Sequence, residues 1–329
     1  MKKLNCAIIG CGNIARSHVQ TLLESGCGEI VALVDTVEEK AVNFRKKYGL
    51  NAEIYTDYTK MLSECKIDVV HVCTPHYLHK EMIIAGLNRN INVLCEKPLC
   101  IKSDEISEIE TALKSSAARL GVVQQNRYNE SSIYLKEYLK DKKILSGYAT
   151  LVWNRDEKYY SQDGWHGVLK KEGGGVVINQ ALHTLDLMQW FMGMPKRVCG
   201  KTEKFALKDK IEVEDTAVAR FYTDDASFAI FATNTAELDF NVHLVFKLEG
   251  GEEVIMFPAA VLTNEGYKEF VENKPLGKDC YGSGHEKLIV DFYDCVINKR
   301  RFAVDFDEAK KVVKMIFALY ESNGKSVDI

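Results

Sequence analysis

Short apolar segments alternate with helical segments through the first 125 residues, and this alternation constrains the fold more than any other feature of the chain. Strands are predicted at residues 4–10, 29–35, 68–73, 92–96 and 121–125, and helices at 13–25, from the second strand to about 48, at 77–88 and at 104–120. The strand segments are apolar nearly throughout, which is typical of strands covered on both faces. The sequence therefore predicts an α/β domain with a doubly wound parallel sheet.

The turn after the first strand reads GCGNIA and matches GxGxx[GA] at Gly10, Gly12 and Ala15. In this pattern the first glycine permits a tight turn, the second lets the backbone approach a pyrophosphate, and the alanine lets the helix pack closely on the strand. Asp35 ends the second strand 20 residues after Ala15, the spacing of an acid that binds adenosine ribose hydroxyls. A plain glycine turn with a strand-end aspartate is the alternative, but the combined context favours a dinucleotide site. Its predicted contacts are Gly10, Gly12, Asn13, Ile14 and Asp35.

Asp35 also bears on the choice between the two nicotinamide dinucleotides. A carboxylate repels a 2′-phosphate, and Thr36 and Val37 offer no guanidinium to receive one. NAD is therefore favoured over NADP, although Arg45 could reach the site from the following helix and receive a 2′-phosphate.

The bulk composition excludes several classes of protein. At 329 residues, with 43 basic and 47 acidic side chains and no long basic run, the chain suits two globular domains and makes nucleic acid an unlikely partner. No apolar run approaches the length of a membrane span. The ten cysteines have neither paired spacing nor a zinc pattern, which favours reduced thiols in the cytoplasm and predicts no metal site.

The second half of the chain has a different pattern. Residues 214–224, 226–236, 241–250 and 252–258 read as successive strands separated by turn residues, which suits an antiparallel meander.

Residues 172–190 read EGGGVVINQALHTLDLMQW, a glycine-led helix with two neighbouring stripes. Asn179, His183 and Asp186 lie on one polar line, because a helix turns about 100° per residue. The adjacent line is apolar and is predicted to face the core; it contains Ile178, Leu182, Leu185 and Met192. Taken alone, the polar line is either the satisfied edge of a core helix or one wall of a ligand site.

Two further motifs follow predicted strands, at the sheet edge where ligands bind in such folds. They are CTPHYLH at 73–79 and CEKPL at 95–99. Together with GCGNIA and the glycine-led helix, they resemble the Gfo/Idh/MocA family, which includes glucose–fructose oxidoreductase and inositol dehydrogenases. The resemblance covers essentially the whole chain and extends to QQNRYN (124–129), YYSQDGWHG (159–167) and YGSGHEKLIVDFY (281–293).

The resemblance implies an N-terminal Rossmann domain and a C-terminal α+β domain with an open, mostly antiparallel sheet, placed here at residues 1–122 and 123–329. It implies that nicotinamide lies in the cleft between them and that the sheet pairs subunits into a homodimer or homotetramer. Further cofactor contacts are implied at Thr74, Pro75, His79, Glu96 and Asn126.

Lys97 matches the family's catalytic lysine, and His183 matches its acid–base partner. An ammonium beside the reacting hydroxyl favours alkoxide character, and an imidazole titrates near neutral pH. Asn179 departs from the aspartate that the family commonly has four residues before the histidine. Because an amide cannot take a proton, Asn179 is predicted to bind or orient substrate instead.

Four other residues are predicted to bind substrate, each with a structural alternative. Arg127 suits a carboxylate or phosphate but equally a structural ion pair. Trp165 and His166 are expected to close over the sugar or the nicotinamide, although a loop tryptophan is often only packed. His285 opens a helix, a position that suits an anion or a plain cap.

The sequence thus predicts an NAD-dependent oxidoreductase acting on a secondary alcohol of a sugar, cyclitol or sugar derivative. Two alternatives stay open at this point. One is an NAD-recycling glycosidase of the same family, and the other is an inactive sensor of NAD and sugar. Retention of both Lys97 and His183 argues against the sensor.

Overall fold

The computed structural model describes residues 3–207, 209–271 and 284–329. Over these ranges the chain forms two compact units. The first contains residues 3–100, 104–125 and 284–309, and the second contains 101–103, 126–207, 209–271 and 310–329. The predicted boundary at 122/123 lies close to the break after Gln125, whereas the sequence does not indicate that residues 284–309 return to the first unit.

Six described strands of the first unit form a parallel sheet in the order β3-β2-β1-β4-β5-β6. They are β1 (Leu4–Ile9), β2 (Gly28–Val34), β3 (Glu53–Tyr55), β4 (Val69–Val72), β5 (Asn92–Glu96) and β6 (Leu120–Val123). The helices are α1 (Ala15–Ser25), α2 (Glu38–Tyr48), α3 (Tyr58–Glu64), α4 (His79–Leu87), α5 (Ser103–Lys114) and, from the C-terminal part, α11 (Gly284–Ile297). Strands β4 and β6 are buried at every residue, as expected of strands with both faces covered. The doubly wound parallel sheet is confirmed.

Strand order reverses between β1 and β4, which are neighbours in the sheet. In open parallel sheets, ligands bind beyond the carboxyl ends of the strands at such a reversal. The turn after β1 and the loops after β4 and β5 therefore emerge at one edge, and these segments carry Lys97 and most of the predicted cofactor residues; Asp35 follows β2 and Asn126 follows β6.

The second unit contains a sheet of nine described strands in the order β14-β13-β12-β11-β7-β10-β9-β8-β15. They are β7 (Ile144–Val152), β8 (Arg197–Glu203), β9 (Thr216–Tyr222), β10 (Ser227–Thr233), β11 (His243–Leu248), β12 (Glu253–Phe257), β13 (Ala260–Thr263), β14 (Gly266–Glu269) and β15 (Ser326–Asp328). Only the β7–β10 pair is parallel among the described pairs, so the sheet is mostly antiparallel, as the family resemblance implies. The four strands read from the sequence correspond to β9 to β12.

The helices of this unit are α6 (Glu130–Tyr138), α7 (Glu157–Ser161), α8 (Leu169–Glu172), α9 (Val176–Asn179), α10 (Leu182–Met192) and α12 (Phe306–Ser322), the last from Lys310 onward. Helix α10 packs on β7 and buries Leu182, Leu185 and Met188 completely. In β9, buried and exposed residues alternate, so one sheet face lines this core and the other faces outward.

In the described ranges, no helix combines the length and the apolar composition needed to cross a bilayer.

Candidate functional site

The turn after β1 has the geometry that its glycines predict. Gly10 has φ 94°, and a Cβ there would lie 2.5 Å from the carbonyl oxygen of Cys73 at the end of β4. A side chain would therefore force the two loops apart. At Gly12 a Cβ would meet nothing within 4 Å, so space remains over the turn.

Helix α1 begins directly after this turn and, within the described chain, no side chain caps its N-terminus. Its first-turn N–H groups and the positive end of its dipole suit a pyrophosphate. Asp35 accepts the Cys11 N–H at 3.0 Å through Oδ2 and the Val37 N–H at 3.0 Å through Oδ1. Because the backbone holds the carboxylate beside the turn, these residues fit a bound NAD.

His79 has a different position from the predicted one. Its side chain is 0 % exposed, and its ring nitrogens lie 2.7 Å from the Pro98 carbonyl oxygen and 2.9 Å from that of Thr74. The ring thus links the loop after β4 to the loop after β5 through a hydrogen bond to each. These contacts support the loops that carry Thr74, Pro75 and Lys97, and the cofactor contact of His79 stays a prediction.

A buried chain of hydrogen bonds connects Tyr293 to Glu96, the last residue of β5. The Tyr293 hydroxyl lies 2.8 Å from His71 Nε2, His71 Nδ1 lies 2.7 Å from His18 Nδ1, and His18 Nε2 lies 2.9 Å from Glu96 Oε1. Burial lowers the pKa of His71 well below its usual value and raises the pKa of Tyr293 well above it, so both are neutral.

The direction of this chain follows from its two ends. Tyr293 donates to His71, which then carries its proton on Nδ1 and donates to His18; His18 donates from Nε2 to the Glu96 carboxylate. Every donor meets an acceptor in this arrangement, so the network orients each ring and the carboxylate together.

Glu96 is ionised despite being 5 % exposed. Burial by itself raises its pKa, but the hydrogen bond from His18 and the proximity of the His18 and His285 rings outweigh it, and the pKa lies well below the usual range. Lys97 follows this carboxylate in sequence, is half-buried and precedes Pro98 through a cis peptide bond.

His285, predicted to bind substrate, lies in this first unit at the start of α11. It is 6 % exposed and its Nε2 is 3.6 Å from Glu96 Oε1. The structure therefore brings it beside Glu96 and His18. Residues 281–283 of the motif that precedes it lie outside the described ranges.

In the second unit, the predicted glycine-led helix is two helices, α9 and α10, with Gln180 and Ala181 between them. The Ala181 N–H reaches back five residues to the Val176 carbonyl at 2.7 Å, which widens the turn and interrupts the regular ladder. Asn179 ends α9, and His183 lies in the first turn of α10 with 5 % of its surface exposed. The two residues are therefore close in sequence but lie on separate helices.

The three glycines before α9 correct another expectation, that they let the chain pass close to ligand. A Cβ would lie 2.5 Å from Ile101 Cβ at Gly173, 2.0 Å from the Tyr320 hydroxyl at Gly174 and 1.9 Å from the Glu214 carbonyl oxygen at Gly175. The missing side chains are replaced by protein atoms, so the glycines permit close packing within this unit.

Asn179 is held by two residues that sequence reasoning does not single out. Its Nδ2 donates to Glu172 Oε1 at 2.6 Å and to the Tyr159 hydroxyl at 3.4 Å. Glu172 is completely buried, and its second carboxylate oxygen accepts the Gly167 N–H. Burial, followed by the charge of Glu172, raises the pKa of Tyr159 to about 12.

Tyr159 connects this pair to the predicted aromatic loop. Its ring centroid is 4.8 Å from that of His166, which stacks on Trp165 at 3.7 Å and pairs with Asp163 at 2.9 Å. Three of the predicted substrate residues (Asn179, Trp165 and His166) are therefore gathered around Tyr159.

Arg127 takes the structural alternative stated for it. Its Nε and Nη2 donate to the Asp186 carboxylate at 2.8 and 2.7 Å, and Nη2 also contacts Gln189 Oε1 at 3.3 Å. Arg127 and Asp186 are 5 % and 1 % exposed. Arg127 therefore anchors the segment after β6, where Asn126 lies half-buried, and its substrate contact stays a prediction.

Across the ranges that the structure describes, no three His, Cys, Asp or Glu side chains are arranged to hold a metal ion. Sequence reasoning misses the residues that contact the predicted site residues within each unit, which are His18, His71 and Tyr293 in the first and Tyr159 and Glu172 in the second. For Glu172 the available signal was its position directly before a glycine run. Nothing in the local sequence indicates the other four residues.

Two family models match the chain. Residues 4–124 match the oxidoreductase family with an NAD-binding Rossmann fold, and residues 143–251 match the GFO/IDH/MocA C-terminal domain. The chain is 25 % identical to D-glucoside 3-dehydrogenase from Escherichia coli K12, over 97 % of this chain and 95 % of that protein.

Solved structures share the fold over the whole chain. The WlbA dehydrogenase from Bordetella pertussis in complex with NADH and UDP-GlcNAcA superposes with a TM-score of 0.86 at 23 % identity, covering 100 % of this chain and 99 % of that one. The myo-inositol 2-dehydrogenase from Lactobacillus plantarum gives 0.85 at 24 % identity, covering 100 % of both.

Proposed function

Because the chain belongs to the Gfo/Idh/MocA oxidoreductase family, we propose that it transfers hydride between NAD and a secondary alcohol of a sugar, cyclitol or sugar derivative. The observation that carries this proposal is the position of Lys97. It follows Glu96, the last residue of β5, at the same sheet edge as the Gly10 turn, and a buried network lowers the pKa of Glu96. Two of the relatives are named D-glucoside 3-dehydrogenase and inositol 2-dehydrogenase, which supports the substrate class.

In this proposal the Gly10 turn, the N-terminus of α1 and Asp35 hold the dinucleotide. Bound NAD supplies the hydride acceptor or, when reduced, the donor. Lys97 binds the reacting hydroxyl oxygen and stabilises negative charge on it, and His183 removes or returns the hydroxyl proton. Asn179, with Trp165 and His166, binds the rest of the substrate.

The test is NADH absorbance from purified protein given NAD and a panel of cyclitols, hexoses, uronates and nucleotide sugars. One class should give a signal, and Lys97→Ala should lower the rate about 10²–10⁴-fold, the usual contribution of a proton-transfer group. Lys60→Ala is the control, because Lys60 is an α3 lysine with a side chain 64 % exposed.

A flat trace across the panel, with NAD binding shown by calorimetry, refutes hydride transfer to these substrates. Glycoside cleavage without net NADH would favour the NAD-recycling alternative. Full activity in Lys97→Ala removes Lys97 from the mechanism.

We also propose a homodimer or homotetramer that pairs the outward sheet face of the second unit. Val218, Phe231 and Tyr148 are 56 %, 41 % and 47 % exposed there. Val218 is directly opposite Phe231, and Tyr148 pairs with Ala229 two residues from Phe231, so the three side chains share one face. An apolar patch of this kind favours a protein contact. Light scattering of Phe231→Glu should show a smaller species than the unaltered protein; an unchanged mass refutes this face as the interface.

We infer a cytoplasmic location from the ten cysteines without paired spacing. Cell fractionation that recovers the protein outside the cytoplasm contradicts it.

A further inference from the structure

The pairing of Glu172 with Asn179 determines how the Asn179 amide is oriented. A carboxylate only accepts hydrogen bonds, so the amide atom 2.6 Å from Glu172 Oε1 is Nδ2. The Asn179 oxygen is therefore directed away from Glu172. Since Glu172 is completely buried and its other oxygen accepts the Gly167 N–H, the carboxylate has a fixed orientation.

We propose that Glu172 is a positioning residue: it fixes Asn179 so that Oδ1 accepts a hydrogen bond from a substrate hydroxyl. The inference rests on the proposed function for its substrate, but the orientation of the pair does not. The side chain at position 179 stays oriented for substrate only if one of residues 172 and 179 donates the hydrogen bond between them and the other accepts it.

The numbers of donors and acceptors at positions 172 and 179 predict which hydrogen bonds each substitution removes. Asn179→Asp places two carboxylates at the same distance, and like charges so close cannot both ionise, so one pKa rises. In Glu172→Gln, the new amide must offer an oxygen to both Asn179 Nδ2 and the Gly167 N–H, and it has one. In the double variant Glu172→Gln/Asn179→Asp, the introduced amide donates to the introduced carboxylate and accepts from the Gly167 N–H. Both hydrogen bonds therefore return, the one between positions 172 and 179 with reversed polarity.

Other titratable groups around the pair are the same in all four proteins. The charge of Glu172 acts on Tyr159 and Tyr160 of α7 and on Tyr320 of α12. Glu214 also acts on Tyr160 and Tyr320, and His183 follows Asn179 on α10. Arg155 lies over the Tyr159 ring. Differences between the four proteins therefore report the carboxyl groups at 172 and 179.

The first measurement needs no substrate: the melting temperature of the four proteins between about pH 5 and pH 8. In Asn179→Asp the folded-state pKa of one carboxyl is raised, so stability is lost as pH rises from the unfolded value through the raised value. The melting temperature of Asn179→Asp should fall with rising pH relative to that of the unaltered protein. The melting temperature of the double variant should have the same pH dependence as that of the unaltered protein. An Asn179→Asp curve parallel to that of the unaltered protein overturns the pairing.

The second measurement is kcat/KM with the substrate found in the panel. Each single variant should lose at least about tenfold, equal to one hydrogen bond of about 1.4 kcal/mol, and the double variant should recover most of the loss in KM. Losses that simply multiply in the double variant, or recovery of stability without recovery of kcat/KM, overturn the positioning role. If the unaltered protein turns over nothing, the proposed function fails, while the melting curves still decide the pairing.

Discussion

Replacing His18 by leucine should reverse the pH dependence of stability in the first unit. In the unaltered protein the pKa of Glu96 is lowered, because the hydrogen bond from His18 and the proximity of the His18 and His285 rings outweigh the effect of burial. A lowered folded-state pKa contributes stability above the unfolded value of about 4.3, and that stability is lost as pH falls through the folded value. Without His18, burial becomes the dominant influence and the pKa of Glu96 rises. Stability should then be lost as pH increases above about 4.3.

The size of the effect follows from the contacts. A hydrogen bond to a charged group contributes about 1.5–3 kcal/mol, and an unpaired buried charge costs about 3–5 kcal/mol. His285 remains 3.6 Å from Glu96 and reduces the loss, so we expect about 3 kcal/mol at neutral pH. A further loss of about 1 kcal/mol, independent of pH, comes from His71, whose Nδ1–H loses its acceptor.

Calorimetry of the protein without cofactor measures both parts. At roughly 2–4 °C per kcal/mol, the melting temperature of the variant should be about 8–16 °C lower at neutral pH and much closer to the original near pH 4.5. Adding Glu96→Gln to His18→Leu should remove the pH-dependent part, because no charge remains to be buried. A variant that keeps the original pH dependence, or one that Glu96→Gln does not flatten, refutes the assignment of Glu96 as a buried anion held by His18.

Three further substitutions test other parts of the structure. Asp35→Ala should raise kcat/KM with NADP relative to NAD about tenfold or more, since the carboxylate that repels a 2′-phosphate is gone; an unchanged ratio contradicts its role. Arg127→Met should destabilise the protein by about 3–5 kcal/mol in urea unfolding, because the buried Asp186 carboxylate loses the guanidinium that pairs with it. Arg127→Met/Asp186→Leu should recover much of that loss, and equal losses in the single and the double variant contradict a structural ion pair. Gly174→Ala should lower the melting temperature, because its Cβ would lie 2.0 Å from the Tyr320 hydroxyl; the addition of Tyr320→Phe should relieve part of the loss, and an unaffected single variant contradicts the close packing.

Local sequence was sufficient to predict the turn proposed to bind the dinucleotide. Gly10 and Gly12 act through the backbone conformation of their own turn, and Asp35 reaches that turn from the end of the adjacent parallel strand. The alternation of apolar strands and helices was sufficient to predict the sheet of the first unit, because strands buried on both faces need no information from distant segments to be recognised. The family motifs then added Lys97 and His183 as predictions.

Tertiary structure alone decided which polar side chains form hydrogen bonds with distant parts of the chain. His18 and Glu96 are 78 positions apart and His71 and Tyr293 are 222 apart, yet each pair shares one hydrogen bond. Glycine patterns also proved ambiguous: the run at 173–175 reads like a ligand approach, but its space is filled by Ile101, Tyr320 and Glu214.

The physical reason is the range of the interactions involved. Turn geometry and strand periodicity depend on neighbours in sequence, so the chain alone determined a parallel NAD-binding sheet with Gly10 and Asp35 at its ligand edge. Burial, charge pairing and amide orientation depend on which distant segments meet. The assignment of Arg127 to Asp186 and of Asn179 to Glu172 therefore belonged to the tertiary structure.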